Sequence, residues 1–389
     1  MPVINSVAAF ADEVAGWRRD IHEHPELMFE EHRTAALVAG KLKEFGVDEV
    51  VTGFGRTGVV GVIRGKKPGK GKTIGIRADM DALPIEEATD VPYKSKTPGK
   101  MHACGHDGHT AMVLGAAKYL AETRNFAGAA VVIFQPAEEG GGGARAMLED
   151  GLIERFGVDE VYGLHNSTQI EVGKFGIRPG PAMAAVDRFT IDISGKGSHG
   201  AAPHLSIDPI LIMSQLITAL QSIASRNVDP IESIVVSTCV AQAGSAFNII
   251  PQTAKLIGTV RTLSEKTRDL AETRMKEICA GVAASFGAKI EIDYWRGTPV
   301  LVNNDEKTAL AARVAADVVG EANVDANVRQ IMGGEDFAFM MNARPGAFIY
   351  LGNGIGVGVH HPAYNFNDEA IPYGVSYFAR LIETATEAQ

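Results

Sequence analysis

Cysteine is scarce in this chain: three residues in 389, at positions 104, 239 and 279. A sparse, odd number cannot build a disulfide framework for a protein this long, and it fits a reducing compartment. Basic residues are also in the minority, with 37 Lys and Arg against 47 Asp and Glu, a formal net charge of -10. That balance argues against the basic footprint expected of a nucleic-acid binder. No stretch of 18 uncharged apolar residues occurs, so no membrane span is expected. The first 17 residues, MPVINSVAAFADEVAGW, carry acids at Asp12 and Glu13 and lack a basic head before an apolar core. They read as an opening helix with no export signal, and the expected location is the cytoplasm. Internal repeats, heptads and low-complexity tracts are absent as well.

A hydrophobic content of 46% with 22% charged residues is ordinary for a folded globular chain. Its length favours two domains over one. Apolar spacing of three and four predicts helices over 5–21 and 31–45. β-branched runs at 47–52, 59–64 and 73–79 are separated by Gly/Lys-rich turns. A helix over 108–123, a strand over 130–135, a helix over 143–150 and a strand over 160–165 follow. Strands alternating with helices predict an α/β layered domain with a mostly parallel sheet.

From residue 185 the texture changes. A strand over 187–194, a helix over 208–225, strands over 233–243 and 253–263, a helix over 266–286 and a strand over 289–295 make the order β-α-β-β-α-β. That is the split ferredoxin-like unit. The expected organisation is therefore a discontinuous domain of 1–184 and 297–389, with 185–296 inserted in it. The chain then ends in a strand over 349–352, a His-rich loop and a helix from about 372.

Against this background one segment stands out. His102-Ala103-Cys104-Gly105-His106-Asp107-Gly108-His109 gathers three of the 11 histidines and one of the three cysteines. Core packing gives no reason to assemble these residue types, whereas zinc-like ions accept imidazole and thiolate. Cys104 and His106 precede a helix, where a thiolate is favoured. Gln135-Pro136-Ala137-Glu138-Glu139 follows a strand directly, and carboxyl ends of parallel strands are where α/β folds place their sites. One acid of such a pair can bind metal while its neighbour moves protons. Alone, the pair is a weak signal, and an acidic first helical turn is the plainer reading. His165 ends the next strand, His360-His361-Pro362 lies in a late loop, and Asp79 and Asp81 close the strand over 73–79. Gly53-Phe54-Gly55-Arg56-Thr57-Gly58 satisfies G-x-G-x-x-G, but a strand follows it, the wrong context for a dinucleotide.

Ordered along nearly the whole chain are WRRDIHEHPE (17–26), RADMDALP (77–84), MHACGHDGHT (101–110), FQPAEEGG (134–141) and GLHN (163–166). GKGSHGAAP (195–203), NIIP (248–251), GTVRT (258–262), GGEDF (333–337) and HHPAYNFND (360–368) continue the series. With these motifs the chain resembles the M20 metallopeptidases, in particular their amidohydrolase branch of hippurate, N-acyl-amino-acid and auxin-conjugate hydrolases. The resemblance implies two divalent metal ions (Mn, Zn, Co or Ni) on Cys104, His106, Glu139, His165 and His360, with His361 as an alternative to His360. It implies Glu138 as general base and Asp79 as the carboxylate that orients a metal-ligating histidine. His102 and His109 are expected to shape the loop and to stay off the metal. In the inserted domain, His199 is implied at the scissile carbonyl, from the partner subunit in related enzymes. Asn248 and Arg261 are implied near the substrate carboxylate, a role that suits the planar guanidinium fork of Arg261. Glu335 is implied near the substrate.

The activity implied is hydrolysis of N-acyl amino acids, with a dipeptidase or carboxypeptidase as the alternative. A deacetylase of amino-acid biosynthesis and a non-catalytic conjugate-binding protein are further alternatives. The implied partner is a small N-acyl-amino-acid substrate, with no nucleic acid and no membrane. The implied assembly is a homodimer or higher homo-oligomer through the inserted domain.

Overall fold

The structure is a computed structural model that describes residues 3–386. The chain divides into two compact units. The first runs up to Gly180 and resumes over Val302–Arg329 and from Asp336 onward; the second is Pro181–Leu301 with Gln330–Glu335.

The first unit is organised on an eight-stranded sheet. Its order is Glu49–Phe54, Gly58–Arg64, Ala129–Gln135, Thr73–Asp79, Glu160–Ser167, Gly346–Gly352, Phe175–Gly176 and Val324–Asp325. Four central strands are parallel, and the first two form an antiparallel hairpin at one edge. Ile74, Ile76, Ala78 and the run Ala130–Phe134 are buried to within 1% on both sheet faces. Near-continuous apolar strands of this kind require cover on both sides. One cover is the helix His106–Thr123, buried from His106 through Ala117. Helices Ala11–Glu23 and Ile371–Ala385 pack against it in turn.

The second unit is a four-stranded antiparallel sheet ordered Ile234–Ala243, Thr253–Thr262, Ala185–Ser194, Lys289–Thr298. Helices Pro209–Ser222 and Glu265–Phe286 supply Ile212, Leu216, Leu220, Ala271 and Met275 to its core. This is the expected ferredoxin-like arrangement. Local chemistry sets its helix ends. Asp208 accepts the Ile210 N–H just before Pro209, and Ser264 accepts that of Thr267, caps of about 1 kcal/mol each. Gly287, with φ 65°, closes the second helix in the left-handed conformation that favours glycine.

Two details differ from the sequence expectations. The opening helix is broken at Phe10 (φ -116°) into Asn5–Ala9 and Ala11–Glu23. The second unit starts at Pro181 and ends at Leu301, outside 185–296, and takes in 330–335 as well. The last strand continues to Thr298, opposite Val186, and main-chain bonds from Ala184 N to Gly333 O and Ile331 N to Ala182 O recruit the distant segment. No described helix is long and apolar enough to cross a membrane.

Candidate metal centre

The parallel strands of the first unit deliver the site residues at their carboxyl ends. Asp79 and Gln135 are direct neighbours in the ladder, and His165 lies opposite Tyr350. Beyond Gln135 the chain turns sharply, with Ala137 at φ 51°, and presents Glu138 and Glu139. Asp81 holds that turn. Its Oδ1 accepts the Glu138 N–H and its Oδ2 the Glu139 N–H, both at 3.0 Å. Between Cys104 and His106 stands Gly105, at φ 92°, where an added Cβ would lie 2.2 Å from Asn166 Oδ1. Only glycine fits there, and this lets two ligand types two residues apart face one point.

Hydrogen bonds decide which ring nitrogen of each histidine is available. His106 Nδ1 donates to the Asp81 carbonyl at 2.9 Å, leaving Nε2 buried and without a hydrogen-bond partner. His165 Nδ1 donates to the Asn166 carbonyl at 2.7 Å, and its Nε2 lies 3.4 Å from Cys104 Sγ. Burial drives His165 down to about 3, so its imidazole is neutral at pH 7. His106 is different: burial lowers it, but Asp79 and Cys104 outweigh burial and its affinity for a proton rises. An orphaned, proton-hungry nitrogen in a dry cluster is what a cation replaces. His360 Nε2 is 3.1 Å from Glu139 Oε1. Cys104, His106 and His165 bring their donor atoms within 4.8 Å of one another, as do Cys104, Glu139 and His360, and His106, Glu138 and Glu139. The donor set of thiolate, imidazole and carboxylate fits divalent transition metals.

His360 and His361 are separated by their surroundings. His360 adopts φ 63° and its N–H is tied to the Ala103 carbonyl at 2.7 Å, which turns the ring toward Glu139. His361 is exposed, and its Nδ1 accepts the Ala363 N–H at 3.0 Å. His109 is buried against Asp79, at 2.7 Å, and Asn166. His102 is buried with neither ring nitrogen hydrogen-bonded, and burial takes it down to about 3.

Asp79 lies among His109, Arg77 and His106. Its Oδ1 serves His109 and its Oδ2 accepts from Arg77 at 2.7 Å, remaining 3.6 Å from His106. The carboxylate on the Nδ1 side of His106 is that of Asp81, at 3.3 Å, two residues further on, to which the resemblance assigned no role. Arg77 also reaches Gln135 at 2.8 Å and Asp336 at 3.3 Å. Asp336 in turn caps Ala144 N at 3.0 Å, and its own N–H points to Glu138 Oε1 at 3.4 Å. Glu138 is thus oriented from two sides.

The remaining predicted residues lie in the second unit. His199 pairs with Ile249 across a two-residue ladder, and Gly200 N donates to Asn248 O at 2.8 Å, so His199 and Asn248 are neighbours. They sit beyond the end of the sheet where Ser194 meets Thr253. Arg261 is near the other end, opposite Val186, with Nε donating to Thr259 Oγ1 at 3.2 Å. Eight residues of strand separate Thr253 from Arg261, about 27 Å at the usual rise. Gly334 packs on Val186 and near the Arg261 guanidinium, which puts the buried Glu335 at Arg261's end. A single copy therefore does not bring Asn248 and Arg261 together.

Behind the metal loop, Asp107 occupies the first turn of the helix and accepts from His22 Nδ1 at 2.8 Å, while His22 Nε2 faces Glu87 at 3.3 Å. Burial lowers His22, but the bond to Asp107, its charge and Glu87 outweigh burial and push it up to about 9. A folded value above the unfolded one means that this contact stabilises fully below about pH 6.5. It weakens as pH rises and is lost through about 9. The melting temperature is expected to fall over that interval, and His22→Gln to flatten the fall, as differential scanning calorimetry would read. An unchanged slope in the variant refutes the assignment.

The profile of Peptidase family M20/M25/M40 matches residues 75–384. The hippurate hydrolase of Campylobacter jejuni is 48% identical over 381 residues, covering 98% of each chain. The N-acetylcysteine deacetylase of Bacillus subtilis is 42% identical over 374 residues, 96% of this chain and 97% of its own. Among solved structures, the Bacillus subtilis YXEP protein, described as a dinuclear metal binding peptidase from the M20 family, superposes with a TM-score of 0.86. It is 38% identical and covers 97% of this chain and 99% of its own. On the profile match and on identity along almost its whole length, this chain belongs to peptidase family M20/M25/M40.

Proposed function

We propose that the protein is a metal-dependent amidohydrolase that cleaves the amide bond of N-acyl amino acids, releasing a carboxylic acid and a free amino acid. The observation that carries this reading is the convergence of Cys104, His106, Glu139, His165 and His360, with Glu138 beside them in the same turn. Relatives named for hippurate and N-acetylcysteine share this chain from end to end, which supports an acylated amino acid as substrate.

Those five residues would hold divalent ions, which would supply Lewis acidity to the amide carbonyl and to water. Glu138 takes the proton of the attacking water and returns it to the leaving amine. Asp81 holds the turn through the Glu138 main-chain N–H, and the Asp336 N–H orients the carboxylate itself for both transfers. Asp79, through His109, buttresses the loop that carries His106. His199 donates to the carbonyl oxygen as negative charge develops on it. Arg261 binds the substrate carboxylate with its planar fork, beside Glu335. Asn248 and His199 lie a strand length from Arg261, which supports a homodimer in which the two groups reach the substrate from different copies. Three free cysteines suit a reducing cytoplasm.

The test is a substrate panel on purified protein with its metal content measured. Hippurate and N-acetylcysteine should be hydrolysed with a kcat/KM at least tenfold above that for dipeptides. The reverse order would establish the peptidase reading suggested by the description of YXEP. Tight binding of the conjugates without turnover by metal-loaded protein would mark a binding protein.

A further inference from the structure

The proposed chemistry leaves the motif at 17–26 without a task, although its Arg18 and His22 are wholly buried on one face of the helix Ala11–Glu23. Arg18 Nε donates to Asp368 Oδ1 at 2.8 Å, and Nη2 lies 2.7 Å from the same oxygen. Its Nη1 is 3.5 Å from Asp107 Oδ2, and the guanidinium carbon stands 4.3 Å from the centre of the Tyr93 ring. Asp107 directly follows His106. Asp368 closes the loop that carries His360, between the strand Gly346–Gly352 and the helix Ile371–Ala385. One buried cation therefore lies between the two segments whose donors meet at Glu139.

We propose that Arg18 is a positioning residue that sets the spacing between the Cys104–His106 loop and the His360 loop, and through it the geometry of the metal centre. The proposal rests on the reading of those residues as ligands. His360 occupies a left-handed conformation that a non-glycine residue adopts reluctantly, so the loop needs restraint on both sides. On one side, the His360 N–H is bound to Ala103 O at 2.7 Å. On the other, Asp368 is gripped by Arg18. His22 occupies Asp107 at 2.8 Å, so the firmer contacts of Arg18 go to Asp368. A guanidinium holds two carboxylates in one plane and stacks on an aromatic ring, whereas an ammonium offers a single point of charge. Groups behind metal ligands typically alter metal affinity by about 10- to 100-fold when changed.

The experiment titrates Co2+ into chelator-stripped protein by calorimetry and records the visible absorption of the complex, a direct signature of ligand geometry. Wild type is compared with Arg18→Lys, which keeps the charge, and with Asp368→Asn, at the partly exposed end of the contact. Arg33→Gln, which removes an exposed ion pair with Asp20, is the control. Expected are about 10- to 100-fold weaker Co2+ binding and a displaced absorption spectrum for both clamp variants. The control should match wild type, and circular dichroism of the metal-free Asp368→Asn protein should be unchanged. Affinity and spectrum within twofold of wild type in both clamp variants, or an equal loss in Arg33→Gln, overturn the proposal. No Co2+ uptake by wild type instead overturns the ligand reading itself, a distinct result.

Discussion

Replacing Glu138 with glutamine is expected to lower kcat for hippurate by about 100- to 10,000-fold, the range typical of a general acid–base catalyst. KM and metal content should change little. Glutamine has the shape of glutamate and can still accept the Asp336 N–H, which lies 3.4 Å from Oε1. The turn itself is held through the main-chain N–H groups of residues 138 and 139 by Asp81, so it does not depend on the side chain. What the variant lacks is a group able to take a proton from water and return it to nitrogen. Steady-state kinetics on metal-quantified protein reads the outcome. Near-normal turnover by the variant would remove Glu138 from the mechanism.

Removing the metal should cost as much. After chelation, hydrolysis is expected to fall by about a thousandfold, because Lewis-acid stabilisation worth several kcal/mol converts at 1.36 kcal/mol per tenfold. Adding back one divalent ion at a time should restore activity and identify the ions the site accepts. Stability should follow binding: at a metal concentration 100 times Kd, the bound state gains about 2.7 kcal/mol over the metal-free one. The physical reason lies in the cluster. His106 Nε2 has no hydrogen-bond partner and is fully buried, and Cys104, whose thiol burial pushes up, lies beside it. A cation satisfies both at once. Full activity in protein shown by elemental analysis to be metal-free would overturn the reading.

Local signals made much of the architecture legible. Alternating apolar residues mark the strands of the second unit, and near-continuous apolar runs mark those buried on both faces in the first. The order of elements in the second unit already implied its sheet. Residue chemistry singled out the Cys104–His106 loop as a candidate metal loop, since cysteine and histidine at that density have few other uses. The motif series added the proposed general base and the proposed ligands from distant stretches.

Other features depend on contacts between residues far apart in the chain, which no local pattern encodes. Asp79 and Asp81 differ by two positions in one motif. Only the packed turn shows that Asp81 faces His106 and the Glu138–Glu139 amides, while Asp79 turns to Arg77 and His109. His360 and His361 are adjacent and chemically identical. The main-chain bond to Ala103 and a left-handed φ turn the first inward, and the second caps its own turn. Arg18 reads as an ordinary helical charge until the fold closes Asp107 and Asp368 around it. The sequence by itself determined which chemical groups this protein has for holding metal and moving protons, because those are properties of residue type and short spacing. Tertiary structure alone decided where each of several equivalent groups points and what it contacts, because direction, burial and partner are set by segments up to 350 residues away.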